Sequence, residues 1–180
     1  MPTSYIALDL ETTGLDSRTD TIIEVGAVRF DADGVRDRFS ELVNPQRPIP
    51  PRIQELTGIG DEEVRQAPPL EALTPKLEAF LEDAVLVGHN VAGFDIRFLD
   101  AAGIRHGDSI YDTFDLAILL LPGLSEYNLA ALARHFQIEF PVQHRALADA
   151  EATRELFLAL RERALDLPLD ILGQVARCLA

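Results

Sequence analysis

Residues Tyr5 to Leu15 read YIALDLETTGL, and the rest of the chain is interpreted from this stretch. A short apolar run that favours β-structure leads into Asp9, and Glu11 follows two residues later. Side chains alternate between faces along an extended strand, so both carboxylates project to the same side. Neighbouring carboxylates repel each other, and a divalent cation between them removes that cost. The stretch therefore predicts a strand that ends in a metal site; the simpler alternative is a strand end with solvated acids.

The composition indicates one domain with a hydrophobic core and an acidic surface. The chain has 180 residues, 47% of them hydrophobic, and a net charge of −14. That charge argues against a broad footprint on duplex DNA, because such binding depends on Lys and Arg neutralising phosphates. A small site for one strand end is still compatible with the charge, since bound metal ions can supply positive charge there.

Localisation is predicted from what the sequence lacks. There is no apolar run long enough to span a membrane and no leader-like segment. The single cysteine, Cys178, cannot form an internal disulfide, which fits a reducing compartment. We therefore expect a soluble, cytoplasmic protein with no membrane partner.

Hydrophobic periodicity and turn residues predict a β-meander followed by alternating helices and strands. After the first strand, two more are expected over Thr21–Phe30 and Val35–Val43, joined by a turn at Asp31–Gly34. Ala84–Gly88 is typical of a buried parallel strand, and Ser109–Asp112 is a candidate fifth strand. Helices are predicted over residues 51–56, 70–81, 94–102, 113–121, 128–136 and 148–165. This order predicts an α/β domain with a mixed sheet.

Further polar residues stand at the ends of these predicted elements. His89 and Asn90 follow the fourth strand, and Asp95 opens the next helix. His144 lies in the loop before the longest helix, and Asp149 lies in the first turn of that helix. Each has an ordinary alternative when taken singly. An acid in a first turn gains from the helix dipole, and a histidine can be a core or loop residue.

Taken together, these residues suit hydrolysis at phosphorus. Four carboxylates stand at element ends, and one histidine precedes the last of them by five residues: Asp9, Glu11, Asp95, Asp149 and His144. Carboxylates so arranged can hold two divalent ions about 3.5–4 Å apart, which clamp an in-line displacement. A histidine titrates near neutral pH and can accept the proton of the attacking water.

Three runs of the sequence resemble the motifs of the DEDDh 3′–5′ exonucleases: DLETTGL at Asp9–Leu15, HNVAGFDIRFL at His89–Leu99 and HRALAD at His144–Asp149. That family includes the DnaQ-like proofreading subunit and domains of bacterial replicative DNA polymerases. The resemblance extends over about residues 4 to 165. It implies an RNase H-like fold with a mixed five-stranded sheet, and stepwise release of nucleoside monophosphates with two Mg²⁺ or Mn²⁺ ions.

The resemblance also implies a role for each matching residue. The implied metal ligands are Asp9, Glu11, Asp95 and Asp149, with His144 as the general base. The implied contacts to the terminal nucleotide are Thr12, Gly14, Leu15, Thr57, His89, Asn90 and Phe94. Where the proofreading subunit commonly has His-Gly-Ile, this chain has Thr57-Gly58-Ile59. That form resembles the exonuclease domains of Gram-positive-type polymerases and DinG-type helicases.

The resulting interpretation is a metal-dependent 3′–5′ exonuclease acting on single-stranded DNA ends in proofreading or repair. The alternatives are an exoribonuclease or oligonucleotide-trimming enzyme, a two-metal phosphoesterase for small nucleotides, and a non-catalytic scaffold module. The acidic charge suggests weak unassisted binding, so a polymerase or helicase partner is expected to deliver the strand. We expect residues 1–166 to form the exonuclease domain and residues 167–180 a helical tail, which either packs on the domain or leads to another domain.

Overall fold

A mixed five-stranded sheet is the centre of the computed structural model, which describes residues 4–167. Its strands are β1 (Tyr5–Thr12), β2 (Ile22–Asp31), β3 (Gly34–Leu42), β4 (Val85–Gly88) and β5 (Ile110–Asp112). They lie in the order β3-β2-β1-β4-β5. Strand β1 pairs antiparallel with β2 and parallel with β4, so the predicted mixed sheet is confirmed.

Strand β1 is central because its residues are apolar on both faces. Ile6, Ala7 and Leu8 are fully buried, as expected for a strand covered on both sides. Ile6 and Leu8 belong to one core cluster and Ala7 to the other, so the alternation of side chains places a core on each face. Asp9 and Glu11 stand where this apolar run ends.

Helices cover both faces of the sheet. Within residues 4–167 they are α1 (Pro51–Thr57), α2 (Asp61–Val64), α3 (Leu70–Leu81), α4 (Asp95–Ala101), α5 (Thr113–Leu120), α6 (Leu129–His135) and α7 (Ala146–Leu165). Helices α3 and α4 pack on the face of Ile6, and α5, α6 and α7 pack on the face of Ala7. None of these helices is both long and apolar enough to cross a membrane.

The predicted elements agree with the observed ones to within two residues at each end, with one omission. Helix α7 begins at Ala146, two residues before its predicted start. Helix α2, at four residues, is too short to show a helical period, and the sequence does not predict it. Leu167 packs against the core, and the rest of the predicted tail, residues 168–180, lies outside the described residues.

Gly26 brings the start of α7 against the sheet. It lies on β2 opposite Asp9, and a Cβ atom on it would stand 2.0 Å from the carbonyl carbon of Ala146. Only a residue without a side chain allows this approach of helix to strand. The contact therefore places the start of α7 next to the acidic end of β1.

Candidate active site

Asp9 and Glu11 are placed by strand β1. Both lie in its regular part, two residues apart, and therefore share a face. Their partners across the antiparallel ladder are Gly26 and Glu24 on β2. Glu11 is buried and Asp9 is partly buried, so neither is the freely solvated strand-end acid of the simpler alternative.

Asp95 joins them from the first residue of α4. It is buried, and its Oδ1 accepts a hydrogen bond of 2.9 Å from the backbone N–H of Leu10. Because Leu10 stands between Asp9 and Glu11 in β1, this bond fixes the start of α4 at the acidic end of the strand. The predicted position of Asp95 at a helix start is confirmed.

Asp149 approaches from the first turn of α7, as predicted. It is buried, and its Oδ2 accepts a hydrogen bond of 3.0 Å from the backbone N–H of His144. Its Oδ1 is also buried and has no hydrogen-bond partner among the described residues. A buried carboxylate oxygen without a donor is costly, and such an oxygen fits a metal ligand.

His144 stands over this cluster from the loop before α7. Its side chain is exposed, and its backbone takes a φ of 58°, in the left-handed region. One ligand atom from each of Glu11, His144 and Asp149 lies within 4.8 Å of the other two. The fold therefore brings Glu11 of the first motif to His144 and Asp149 of the third.

The pKa values of all four carboxyl groups are raised above their usual range. The pKa of Asp9 lies well above its usual range because the group is buried and because Asp95 and Asp149 repel its charge. Burial raises the pKa of Glu11 to about 8, with added repulsion from Asp149 and Glu24. Burial also raises the pKa of Asp95 to about 8 and that of Asp149 to about 7, against the effect of backbone N–H donors. This arrangement favours divalent cations, which relieve the repulsion.

Two of the predicted nucleotide contacts line one small cleft. Leu15 has 86% of its surface exposed, the largest exposed fraction among the large apolar side chains of the described residues. It lines a cleft of about 210 Å³ together with Phe94, the residue before Asp95. The cleft lies next in sequence to two of the acidic motifs, and its lining is mostly polar, with Arg18 and Arg97 beside these two apolar side chains.

Gly14 and Thr12 shape the loop that carries Leu15. A Cβ atom on Gly14 would lie 2.4 Å from Oδ2 of Asp20, and that oxygen accepts a hydrogen bond of 3.0 Å from the backbone N–H of Asp16. The Thr12 hydroxyl donates to the carbonyl of Gly14. These contacts give both residues a role in loop geometry, and their contact with a nucleotide stays a prediction.

His89 is oriented by Thr113. The Thr113 hydroxyl donates to the carbonyl of Gly88 at 3.0 Å, so Nδ1 of His89, 2.9 Å from that hydroxyl, must be the donor to it. Nε2 is then an acceptor; it is buried and has no partner among the described residues. Burial lowers the pKa of His89, so the ring is neutral at pH 7. Its contact with substrate stays a prediction.

Thr57 and Asn90 are both engaged with their own surroundings. Thr57 is buried, and its hydroxyl donates to the carbonyl of Ile53 and accepts from the N–H of Ile59. Asn90 is exposed, has a φ of 60°, and donates its backbone N–H to Asp112. Thr57 therefore stabilises the turn between α1 and α2, and nucleotide contacts from both residues stay predictions.

Sequence reasoning missed the pair formed by Glu24 and Arg145. Glu24 is buried on β2, and Nη2 of Arg145 lies 2.9 Å from its Oε1. The available signal was a lone acid inside the apolar run TIIEVGAV, since a buried charge requires a partner. Its partner is 121 residues away in the sequence, and no local pattern identifies it.

The sequence of residues 6–157 matches the family model of RNase T, which is described as exonuclease. That range contains the four acids and His144. The chain belongs to this exonuclease family. The resemblance to DEDDh exonucleases is thereby confirmed, and the five residues named from it fall in the matched range.

This exonuclease domain has long relatives. It is 37% identical to the PolC-type DNA polymerase III of Caldanaerobacter subterraneus subsp. tengcongensis over 95% of its own length and 12% of that protein. It is 35% identical to the 3′-5′ exonuclease DinG of Bacillus subtilis over 96% of its own length and 19% of that protein. The chain therefore spans less than a fifth of either relative.

Solved structures share the fold of this exonuclease. Exonuclease X in complex with 5′ overhanging duplex DNA superposes with a TM-score of 0.72 at 27% identity, covering 89% of this chain and 91% of that one. A structure of exonuclease I superposes with a TM-score of 0.79 at 20% identity, covering 97% and 43%. The predicted RNase H-like fold is confirmed by these neighbours.

Proposed function

We propose that this exonuclease domain removes nucleoside monophosphates one at a time from the 3′ end of single-stranded DNA, with two Mg²⁺ or Mn²⁺ ions as cofactors. One observation carries the proposal: an exposed histidine and the unpartnered Oδ1 of Asp149 meet at a cluster of mutually repelling carboxylates. A non-catalytic scaffold would have no need to retain so costly a cluster.

The four acids are the proposed metal ligands. Asp9 and Glu11 offer oxygens from one face of β1, Asp95 adds its carboxylate from α4, and Asp149 adds the free Oδ1 from α7. This all-oxygen donor set suits Mg²⁺ or Mn²⁺ better than a softer metal. Ions bound there would supply Lewis-acid activation of water and stabilisation of the leaving oxygen in an in-line displacement.

His144 is the proposed general base. A ring nitrogen of His144 lies within 4.8 Å of a carboxylate oxygen of Glu11 and of Asp149. Because the residue is exposed, its ring is open to water and to the substrate. The hydrogen bond from its own backbone N–H to Asp149 couples its position to that of a proposed metal ligand. A neutral imidazole in this place can take the proton of the attacking water.

The proposed substrate is a DNA end without a paired strand. Leu15 and Phe94 are apolar side chains in the mostly polar lining of one cleft, and a terminal base can stack on them, a mode that tolerates any base. DNA is preferred to RNA because the relatives are a DNA polymerase and a DinG exonuclease, and the exonuclease X neighbour is bound to DNA. We also propose that a polymerase or helicase partner delivers the strand and that the protein acts in the cytoplasm.

A gel assay tests this function directly. Two 5′-labelled single strands of matched sequence, one DNA and one RNA, are incubated with Mg²⁺, with Mn²⁺ or with EDTA. We expect a metal-dependent ladder that shortens from the 3′ end, faster on DNA. Faster digestion of the RNA strand would make RNA the substrate. Hydrolysis of mononucleotides with no digestion of either strand would favour a small-nucleotide phosphoesterase. A lack of digestion with either metal would contradict the proposal.

A further inference from the structure

Arg145 connects three elements at the edge of the active site. It stands between His144 and the first residue of α7. Its guanidinium contacts Glu24 on β2 at 2.9 Å and Glu63 on α2 at 3.7 Å. We propose that Arg145 and Glu24 form a positioning pair that holds His144 over the acids, an inference that rests on the proposed function.

Glu24 is bound on both of its oxygens. Oε1 accepts a hydrogen bond from Nη2 of Arg145, and Oε2 accepts one of 2.8 Å from the backbone N–H of Ala146. Arg145 is the residue that precedes α7, and its own side chain does not cap the helix. Glu24 therefore replaces the missing cap, because it satisfies one of the free N–H groups at the helix start and places a negative charge there.

The chain on the other side of His144 offers little support. Residues 141–143 are all exposed, and His144 itself takes a left-handed backbone conformation that costs energy for a residue other than glycine. The residues after it are held firmly, since Ala146 is fully buried against Gly26 and Arg145 is paired with Glu24. The pair is thus one of two fixed points that aim the imidazole, the other being the hydrogen bond from the N–H of His144 to Asp149.

A direct role in substrate binding is the competing explanation for Arg145. Its side chain is 39% exposed, so a phosphate could reach it. However, Nε and Nη2 both face the Glu24 carboxylate, which is only 5% exposed. If the arginine turned away, that buried charge would keep the N–H of Ala146 as a donor but would lose the countercharge of the guanidinium. The geometry therefore favours a residue that stays in place during the reaction.

The test combines kinetics on the 5′-labelled DNA strand with three variants. Arg145→Met removes the charge, Arg145→Lys restores it, and Arg38→Met is the matched control. Arg38 on β3 pairs with Glu151 on α7 at 2.7 Å, so the control also removes an ion pair between a strand and this helix. We expect Arg145→Met to lower kcat by about 10- to 100-fold through misplacement of the base. KM should stay within about twofold, and Arg145→Lys should regain most of kcat.

A second readout does not require activity. Hydrogen exchange of the Ala146 amide, measured without metal, should accelerate in Arg145→Met, while amides in the β1–β2 ladder keep their wild-type rates. The same protein with Arg38→Met should show no change at Ala146. If the wild type digests neither strand, the proposed function fails, and the exchange result still supports or contradicts the positioning pair.

Three outcomes would overturn the inference. A raised KM with unchanged kcat would show that Arg145 binds the DNA phosphate itself. Unchanged exchange at Ala146, or faster exchange throughout the sheet together with loss of activity, would show that the pair does not position His144 locally. Should Arg145→Met fold poorly, Glu24→Gln keeps the size of the partner and is expected to lower kcat in the same way.

Discussion

The active-site carboxylates show how one side chain can destabilise a fold and still be retained. Asp9 is placed by β1, and burial together with two other acids raises its pKa well above the usual range. The group is therefore costly as an anion unless a cation is bound. Removing the charge of Asp9 should therefore lower the activity and raise the stability of the metal-free protein.

Replacing Asp9 by Asn tests this opposition. Activity on the labelled DNA strand should fall by on the order of 10³-fold or more, because a metal site supplies several kcal/mol to the transition state. In EDTA the variant should melt at a higher temperature than the wild type, since one repelling charge is gone. Asp108→Asn, at an exposed acid in the loop before β5, is the control and should change neither. Activity within tenfold of wild type would refute the assignment of Asp9 as a ligand.

Replacing His144 by Ala tests the general base. We expect the rate at saturating metal to fall by about 10²- to 10⁴-fold, the usual contribution of a positioned base. The shape of the pH–rate profile should change, while Mg²⁺ still raises the melting temperature through the acids. His135→Ala, at an exposed histidine on α6, serves as the control. A pH–rate profile identical to that of the wild type would argue against this role.

At the scale of elements, the site depends on how β1, β2 and α7 meet. Strand β1 carries two acids, β2 contributes Glu24, and α7 brings Asp149 with His144 just before it. The approach of α7 to β2 is set by Gly26, opposite Asp9. The positions of Asp149 and His144 beside β1 thus follow from one helix–strand contact.

Replacing Gly26 by Ala should disrupt that contact. Because the added methyl group would overlap the backbone at Ala146, α7 must shift, at a cost of about 1–3 kcal/mol typical of overpacking. Urea unfolding should show the loss of stability, and kcat should fall even under conditions where the variant is folded. Gly60→Ala is the control, since its Cβ atom would meet only Gln54 Oε1 at 3.6 Å. Equal stability of Gly26→Ala and wild type would show that the contact is not tight in solution.

At the scale of the whole molecule, the free energy of unfolding should depend on both pH and bound metal. Glu11, Asp95 and Asp149 have folded pKa values of about 8, about 8 and about 7. These exceed the unfolded values near 4, so the folded state keeps protons that the unfolded state has released. Their contribution to stability is therefore full at acidic pH and is lost as the pH rises through the folded values.

Melting curves in EDTA should show this dependence. The melting temperature is expected to decrease between about pH 5 and about pH 9, whereas salt-bridged or hydrogen-bonded carboxylates, whose pKa is lowered, stabilise a fold at higher pH. Mg²⁺ should reverse the decrease at the alkaline end, because the ion replaces the lost protons. Asp9→Asn should flatten the curve, as it removes one member of the repelling group. A flat wild-type curve would show that the acids are not mutually destabilising.

The net charge gives a prediction for the complete surface. With 16 basic residues against 30 acidic ones, few Lys or Arg side chains are available for phosphate contacts. The affinity for single-stranded DNA, measured with Ca²⁺ in place of Mg²⁺, should fall only shallowly with salt. A slope that corresponds to many phosphate contacts would reveal a basic surface and would weaken the case for a partner that delivers the strand.

Much of the fold could be predicted because its signals are local. The apolar run before Asp9 predicts a buried strand, and it is the central one. Helix α3 has the predicted bounds, and its period places Leu73, Leu77 and Leu81 in the core. Asp95, His144 and Asp149 stand at or just before helix starts, as the pattern predicts, whereas Asp9 lies inside β1, which continues to Thr12. Helix α2 was missed because four residues carry no period.

The sequence by itself determined the elements, the five residues proposed for catalysis and the family, since each depends on neighbours along the chain. Only the tertiary structure decided how those residues act on one another. The raised pKa values depend on burial in the folded protein, and so does Oδ1 of Asp149, which is buried without a hydrogen-bond partner among the described residues. The pair of Glu24 with Arg145 and the packing of α7 against Gly26 both join segments that are far apart in the sequence. Such contacts leave little trace in local pattern, because their energy arises only when the sheet and α7 have come together.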